Sequence, residues 1–203
     1  MIKAIIFDFG NVICRFTNSI LVEKISKLSG KTVEEIFDLV YRNSDLLQRF
    51  ETGLISGQEF FEELSSICGL KVSYKELKKI YSENKFTPVE GMEKLIEELR
   101  GKYKIGLLSN TSEWDFDYMI KAAPMIKTFD TITTSCEAKS IKPDKGIFLD
   151  ALNKLNLRPE ECIYTDDVLE YVEVARKLGI KAVQFTNAEK FKLDLKNLGI
   201  EIN

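Results

Sequence analysis

The sequence predicts an α/β fold, a parallel sheet flanked by helices with an all-helical insertion after the first strand. Three observations lead there. Short apolar, β-branched runs alternate with helically spaced segments through the C-terminal part of the chain. Each of the strongest runs stops abruptly at a polar cluster. The stretch from 16 to 85 breaks the rhythm and offers helix-start signals instead of strands.

The first run, Ile2 to Phe7, is apolar enough for a strand buried on both faces, and it ends at Asp8-Phe9-Gly10-Asn11. Tyr103 to Leu108 precedes Ser109-Asn110-Thr111, Cys162 to Tyr164 precedes Thr165-Asp166-Asp167, and Ala182 to Phe185 precedes Thr186-Asn187. Thr131 to Thr133 is a weaker strand signal. Between them, Met92, Leu95, Ile96 and Leu99 recur at helical spacing within Val89 to Arg100. Gly146 to Leu155, Leu169 to Leu178 and Ala188 to Leu198 read likewise, the last two each ending before a glycine. In the insertion, Thr32-x-x-Glu35, Ser56-x-x-Glu59 and Ser73-x-x-Glu76 are capping boxes, in which a hydroxyl accepts from a free backbone N–H and the glutamate reaches back. Four or five helices are expected. The division is therefore 1–15 and 86–203 for the core and 16–85 for the cap.

Composition narrows the chemistry. At 203 residues the chain can bury one good-sized core with a small inserted domain. A net charge of −3 leaves no basic face for nucleic acid. No run is long enough for a membrane span or shaped like a signal peptide. Cys14, Cys68, Cys136 and Cys162 form no C-x-x-C pair and read as reduced, apolar filler in a cytoplasmic protein. Nothing demands more than a monomer or a weak dimer. There is no histidine, which removes histidine triads and the usual zinc sites. Acid–base or nucleophilic work must fall to carboxylates, lysine, hydroxyls, thiols or a metal.

Four polar clusters meet at the carboxyl ends of predicted parallel strands, the edge where open α/β sheets bind ligands. Asp8 is placed to attack phosphorus once a cation draws off substrate charge; alone it could equally cap a turn. Ser109 and Asn110 suit phosphate oxygens, though such residues also cap helices. Lys142, held beside Pro143, offers a fixed positive charge, with Lys139 nearby; in isolation it is one more surface lysine. Asp166 and Asp167 are awkward neighbours unless a cation sits among their oxygens, and Mg²⁺ is the hard ion expected. The ordinary alternative is an acidic loop at a helix start.

Taken together, "IIFDFGNVI", "LLSNT", "KPDKGIF" and "DDVLEYVEVARKLGI", in that order along the whole chain, resemble the haloacid dehalogenase-like hydrolases. The resemblance implies a Rossmann-like core with a helical cap and phosphatase activity on a small phosphorylated metabolite. It implies that Asp8 is the nucleophile that carries an aspartyl-phosphate, and that Lys142 steadies it. Loop amides at Phe9 and Gly10 would join Ser109, Asn110 and Lys142 around the phosphate. Asp8, the carbonyl of Gly10, Asp166 and Asp167 would surround Mg²⁺, with Asp167 the main carboxylate. Two departures stand out. Gly10 takes the place where most phosphatases of the family carry a second aspartate as general acid, and Tyr171 stands where many have Asp or Asn. The D-x-G-N-V pattern and the segment Arg49 to Leu64 look like a branch that includes sugar-1-phosphate phosphatases. General acid catalysis contributes roughly 10²–10⁴-fold, so its loss is felt least with good leaving groups such as anomeric or acyl phosphates.

Other readings are a 2-haloacid dehalogenase, a catalytically silent domain that binds a ligand or partner, and a phosphotransferase. The first fits poorly with Phe9-Gly10-Asn11 and with the Asp166-Asp167 pair. The second has only Gly10 in its favour, and the third leans on the missing acid. Arg15, Arg42, Arg49, Glu51, Phe16, Phe50 and Trp114 are candidates to face the substrate from the cap side, and packing alone could explain each of them.

Overall fold

The computed structural model describes residues 1–16, 19–42, 44–82 and 86–202. Its centre is a five-stranded, wholly parallel sheet in the order β5-β4-β1-β6-β7. These strands are β1 (Ala4–Phe7), β4 (Lys104–Ser109), β5 (Thr131–Thr134), β6 (Cys162–Asp166) and β7 (Lys181–Gln184). β1 is central and every one of its side chains is buried. Alternation along it feeds two layers. Ile5 and Phe7 enter one cluster with α6 (Met92–Leu99), α7 (Glu113–Ala122) and α11 (Ala188–Asn197). Ala4 and Ile6 enter the other with α9 (Lys145–Leu155) and α10 (Leu169–Lys177). The weak Thr131–Thr133 signal is a true edge strand, with Thr133 and Thr134 buried.

The order of the sheet positions the site. From β1 the chain runs outward through β4 to β5, then crosses back to β6 and β7 on the other side. The strand order thus reverses at β1, where crevices open at the carboxyl edge of such sheets.

The insertion follows β2 (Cys14–Phe16), which pairs antiparallel with β3 (Phe86–Pro88) on the way back. This short ribbon lies at the boundary of the stretch read as strandless. Val89 N donates to Ile13 O, extending the ribbon and delaying α6 to Met92, after Gly91 in the left-handed region at φ 82°. Between the two strands lie α1 (Ser19–Ser29), α2 (Val33–Phe37) with a π-helical turn at Asp38–Arg42, α3 (Leu46–Glu51), α4 (Gly57–Cys68) and α5 (Tyr74–Ser82). Thr32 and Ser56 form complete capping boxes with Glu35 and Glu59. At Ser73 the hydroxyl accepts from Glu76 N at 3.3 Å. A short helix, α8 (Ser135–Ala138), completes the set.

The helical cap has its own apolar cluster, and one core residue completes it. Trp114 of α7 is fully buried among Phe50, Phe60, Tyr74 and Tyr81, with ring centroids 5.1–5.5 Å away. Its indole N–H donates to Tyr74 Oη at 3.0 Å. Gly57 must be glycine here, because a Cβ would come within 2.4 Å of the indole nitrogen. The first helical amide of α4, Gly57 N, donates to Glu113 Oε1 at 3.1 Å, a carboxylate at a helix N-terminus. α7 has blurred periodicity because it serves two partners: Met119 faces the sheet layer while Trp114 faces the cap.

Trp114→Ala should therefore destabilise the protein by about 3–5 kcal/mol, as expected for an aromatic removed from a close-packed site. Urea denaturation followed by circular dichroism checks this. In the wild type, Trp114 is the sole tryptophan. Its fluorescence transition should coincide with that of the sheet, since pulling the cap away exposes it.

Candidate active site

Asp8 follows β1 directly, its amide continuing the ladder to Thr165 O at 3.0 Å. Phe7 stands opposite Leu107, so Ser109 lies one residue further along the same edge than Asp8. On the other side Phe7 pairs with Thr165, which brings Asp166 and Asp167 to that edge. Lys142 arrives from the loop before α9 and is buried. Asp8, Asp166 and Asp167 each offer a carboxylate oxygen within 4.8 Å of the others. Parallel register thus gathers residues that lie as much as 159 positions apart in the chain.

Lys142 Nζ is the electrostatic centre. It donates to Asp8 Oδ1 and Asp166 Oδ2 at 2.7 Å each, and also lies 3.4 Å from Leu108 O and 3.3 Å from Tyr164 Oη. Burial works against its ammonium charge, but the two carboxylates outweigh that and hold its pKa above the ordinary lysine value. Burial pushes the Asp8 carboxyl up to about 7, opposed by Lys142 and reinforced by Asp166. Burial also raises Asp167, against the hydrogen bond from Asn11.

The two adjacent acids differ in their surroundings. Asp166 is fully buried and both its oxygens are engaged: Oδ1 accepts from Val168 N at 2.9 Å, while Oδ2 takes Lys142 and the Tyr164 hydroxyl. Asp167 is half-buried, and its Oδ2 accepts from Asn11 Nδ2 at 3.0 Å. Asn11 sits at φ 55°, a left-handed conformation asparagine tolerates better than most residues.

Two supporting roles escaped sequence reasoning. Tyr164 is inward-facing on a buried strand, where a tyrosine reads as core. The side chain of Asn110 turns to Lys142, accepting from its amide at 2.8 Å and donating to its carbonyl at 3.1 Å. That double bond fixes the loop from which Lys142 extends. Lys139 is not part of the cluster; its ammonium donates to Gly53 O in the cap.

A cavity of about 350 Å³ covers these groups, and Phe9, Gly10, Ser109 and Asn110 all line it. Of the cap-side candidates, Glu51 and Phe16 line it as well. Arg42 is bound instead to Glu34 and Asp38, and Arg49 to Asp45 and Glu63. Phe50 and Trp114 are buried in the aromatic cluster, so packing explains them. Arg15 is exposed on β2 and is not among the lining residues.

The space beside Gly10 is taken by a ring. A Cβ built on Gly10 would lie 2.9 Å from Phe16 Cε1 and 3.1 Å from Cδ1. Where a second aspartate would stand, the cavity wall is hydrocarbon from β2. Gly10→Asp should then force Phe16 aside. Combined with Phe16→Ala it should raise turnover of alkyl phosphates more than of acetyl phosphate, by up to about 10²-fold. Comparing the two substrates in single and double variants checks this.

Comparison with known proteins agrees with the geometry. The profile of haloacid dehalogenase-like hydrolases matches residues 5–185. The chain is 27% identical over 203 residues to D-ribitol-5-phosphate phosphatase of Bacteroides thetaiotaomicron, covering 96% of this chain and 97% of the relative. It is 28% identical over 187 residues to a phosphorylated carbohydrates phosphatase of Thermotoga maritima, covering 89% and 83%. Among solved structures, a HAD family enzyme of Bacteroides thetaiotaomicron in complex with magnesium and inorganic phosphate superposes with a TM-score of 0.80 at 26% identity, covering 92% of this chain and 96% of the other. With its parallel sheet, its inserted helices and its motifs at one sheet edge, the chain belongs to the haloacid dehalogenase-like hydrolases.

Proposed function

We propose that this chain is a Mg²⁺-dependent phosphatase of small phosphorylated metabolites, with sugar or polyol phosphates as the natural class. The observation that carries the reading is the convergence of Asp8, Lys142, Asp166 and Asp167 under one cavity. The relatives named as phosphatases of ribitol phosphate and of phosphorylated carbohydrates support the substrate class.

Asp8 is the nucleophile. Lys142 orients its carboxylate through Oδ1, leaving Oδ2 for in-line attack. The phosphorus–oxygen ester bond breaks as the bond to Asp8 forms, and the leaving oxygen takes a proton from solvent and departs as the alcohol. Water then attacks phosphorus, releasing inorganic phosphate and restoring the carboxylate. Ser109, the amides of Phe9 and Gly10 and the ammonium of Lys142 hold the transferring oxygens. The clustered oxygens of Asp8 and Asp167, with the carbonyl of Gly10, suit a hard divalent ion, and Asp166 braces Lys142 beside them. When bound, Mg²⁺ supplies positive charge against the phosphate oxygens.

We take 1–15 and 86–203 as the catalytic core and 16–85 as the cap that excludes water and selects substrate. Residues 17–18, 43 and 83–85, within the cap, and residue 203 lie outside the described residues. Among the described residues no helix is long and apolar enough to cross a membrane. The four free cysteines support a cytoplasmic setting, and we read the protein as a monomer or weak dimer.

Phosphate release from a panel of monoesters, with Mg²⁺ or with EDTA, tests the reading. The expected result is turnover only with Mg²⁺. Because Phe16 rather than an acid stands by Gly10, acetyl phosphate and anomeric phosphates should outrun alkyl phosphates by roughly 10²-fold or more. Absence of any release would favour a silent domain, and failure to bind a metal fluoride with Mg²⁺ would then establish it.

A further inference from the structure

The short helix α8 touches parts of the molecule that the chain keeps far apart. Its first residue, Ser135, is fully buried. Thr111 N donates to Ser135 Oγ at 2.9 Å, and the Ser135 hydroxyl donates to Glu51 O, at the end of α3, at 2.5 Å. Thr111 closes the Ser109-Asn110-Thr111 cluster, and those three residues and Glu51 all line the cavity. One oxygen atom thus joins the loop that carries Ser109 to the cap. The other end of α8 is tied to the cap as well, where the Lys139 ammonium donates to Gly53 O. Between the two ties the backbones touch: a Cβ on Gly53 would lie 2.3 Å from Cys136 O, and Gly53 sits at φ 67°. Beyond α8 the chain passes Ser140 and Ile141 to Lys142, whose backbone Asn110 holds at both its amide and its carbonyl.

The Ser135 hydroxyl has one proton to give. It goes to Glu51 O, while the oxygen accepts from Thr111 N. A second acceptor, Thr111 O, stands 3.3 Å away. That exceeds the ordinary O–H···O separation of about 2.7–2.8 Å. With the cap seated, the hydroxyl therefore holds Thr111 chiefly by its N–H. When α3 withdraws, the buried proton turns to Thr111 O, because a buried donor without an acceptor is the costlier arrangement. Closing that contact to an ordinary length draws the loop by about 0.5 Å. Ser109 moves with it, and phosphoryl transfer depends on placement at that scale.

We propose that Ser135 is a positioning residue that couples the seating of the cap to the phosphate-binding loop: with the cap down the loop holds Ser109 in place for phosphate, and with the cap lifted it does not. This rests on the phosphatase reading and adds to it the device that links substrate capture to closure. Such coupling is reciprocal, so bound phosphate must in turn hold the cap down.

Inorganic phosphate with Mg²⁺ is the probe. Its affinity is measured by titration calorimetry for the wild type, Ser135→Ala and Gly53→Ala, and acrylamide quenching of Trp114 is read in the same samples. Trp114 is the sole tryptophan and is buried between a core helix and the cap, so its quenching reports how firmly the cap is seated. Phosphate should lower quenching in the wild type by about twofold or more. Ser135→Ala should weaken phosphate binding by roughly 5–20-fold and abolish the response of Trp114 to phosphate. Gly53→Ala pushes the end of α3 off α8 and alters no group of the phosphate loop. It should weaken phosphate binding by a similar factor, and quenching before phosphate is added should rise. A purely structural role for Ser135 would lower the melting temperature and leave the phosphate affinity of the folded protein unchanged. If Ser135→Ala does not fold, Gly53→Ala carries the test. Wild-type phosphate affinity in Gly53→Ala, or phosphate binding to the wild type with no change in quenching, overturns the coupling and keeps the phosphatase reading. Failure of the wild type to bind phosphate with Mg²⁺ brings down both.

Discussion

Asp8→Asn is expected to abolish phosphate release, by roughly 10⁴-fold or more, while leaving the fold intact. The amide has the same shape as the carboxylate and its oxygen can still accept from Lys142, whose ammonium now lies 2.7 Å from Asp8 Oδ1. What it lacks is a nucleophilic oxygen anion. The stability effect runs the opposite way. Burial holds the wild-type Asp8 carboxyl up at about 7, against an ordinary value of 3.8. Between those two pH values the folded protein keeps a proton that the unfolded chain has released. In EDTA the wild type therefore loses stability as pH rises through that window. Asp8→Asn has no proton to lose there, so its Tm relative to wild type should climb from pH 4 to pH 8. Mg²⁺ should narrow the difference by stabilising the wild-type carboxylate. Phosphate-release assays and thermal melts at several pH values read both effects. Residual metal-dependent turnover near the wild-type rate would remove Asp8 from the nucleophile's role.

The candidate site was legible in the sequence where its parts end a buried strand. Asp8, Ser109 and Asp166 interrupt apolar runs at the point where the chain must leave the sheet, and parallel register then aligns them. The ends of helices were legible where a capping box or glycine marked them, as at Thr32 and Ser56. What lay beyond reach depended on contacts distant in sequence. Tyr164 reads as core from its place in a strand, yet its hydroxyl donates to Asp166. The side chain of Asn110, read as a phosphate ligand, also grips the backbone of Lys142, a contact no local pattern announces. Trp114, for which substrate contact and packing were both open in the sequence, fills the cap from the core side. Phe16 and Gly10 form a pair only because β2 folds back over the loop after β1. Glu51 and Asp115 share a cavity although one belongs to the cap and the other to a helix that periodicity barely announced.

Lys142→Met should have the second large effect, on stability and on catalysis together. The side chain is 2% exposed and its ammonium bridges Asp8 and Asp166, themselves almost wholly buried. Removing one partner of a buried ion cluster leaves the others uncompensated, at a cost of about 3–5 kcal/mol. Two carboxylates then face each other with the Tyr164 hydroxyl as the remaining donor to Asp166 Oδ2. In EDTA the variant should melt far below the wild type. Mg²⁺ should recover more of that loss in the variant than it adds to the wild type, because the ion restores positive charge between the same oxygens. Activity should not follow: a fixed ammonium aimed at the transferring oxygens is worth roughly 10²–10³-fold in turnover, and methionine offers nothing in its place. Lys142→Arg should rescue little, since a planar guanidinium cannot place one nitrogen between two oxygens that an ammonium meets at 2.7 Å each. Tyr164→Phe is the control. It deletes a neighbouring hydroxyl but keeps the charge, so its activity should fall by less than about tenfold. A Lys142→Met protein as stable in EDTA as the wild type would mean that a shared proton, not the lysine, holds the two carboxylates together.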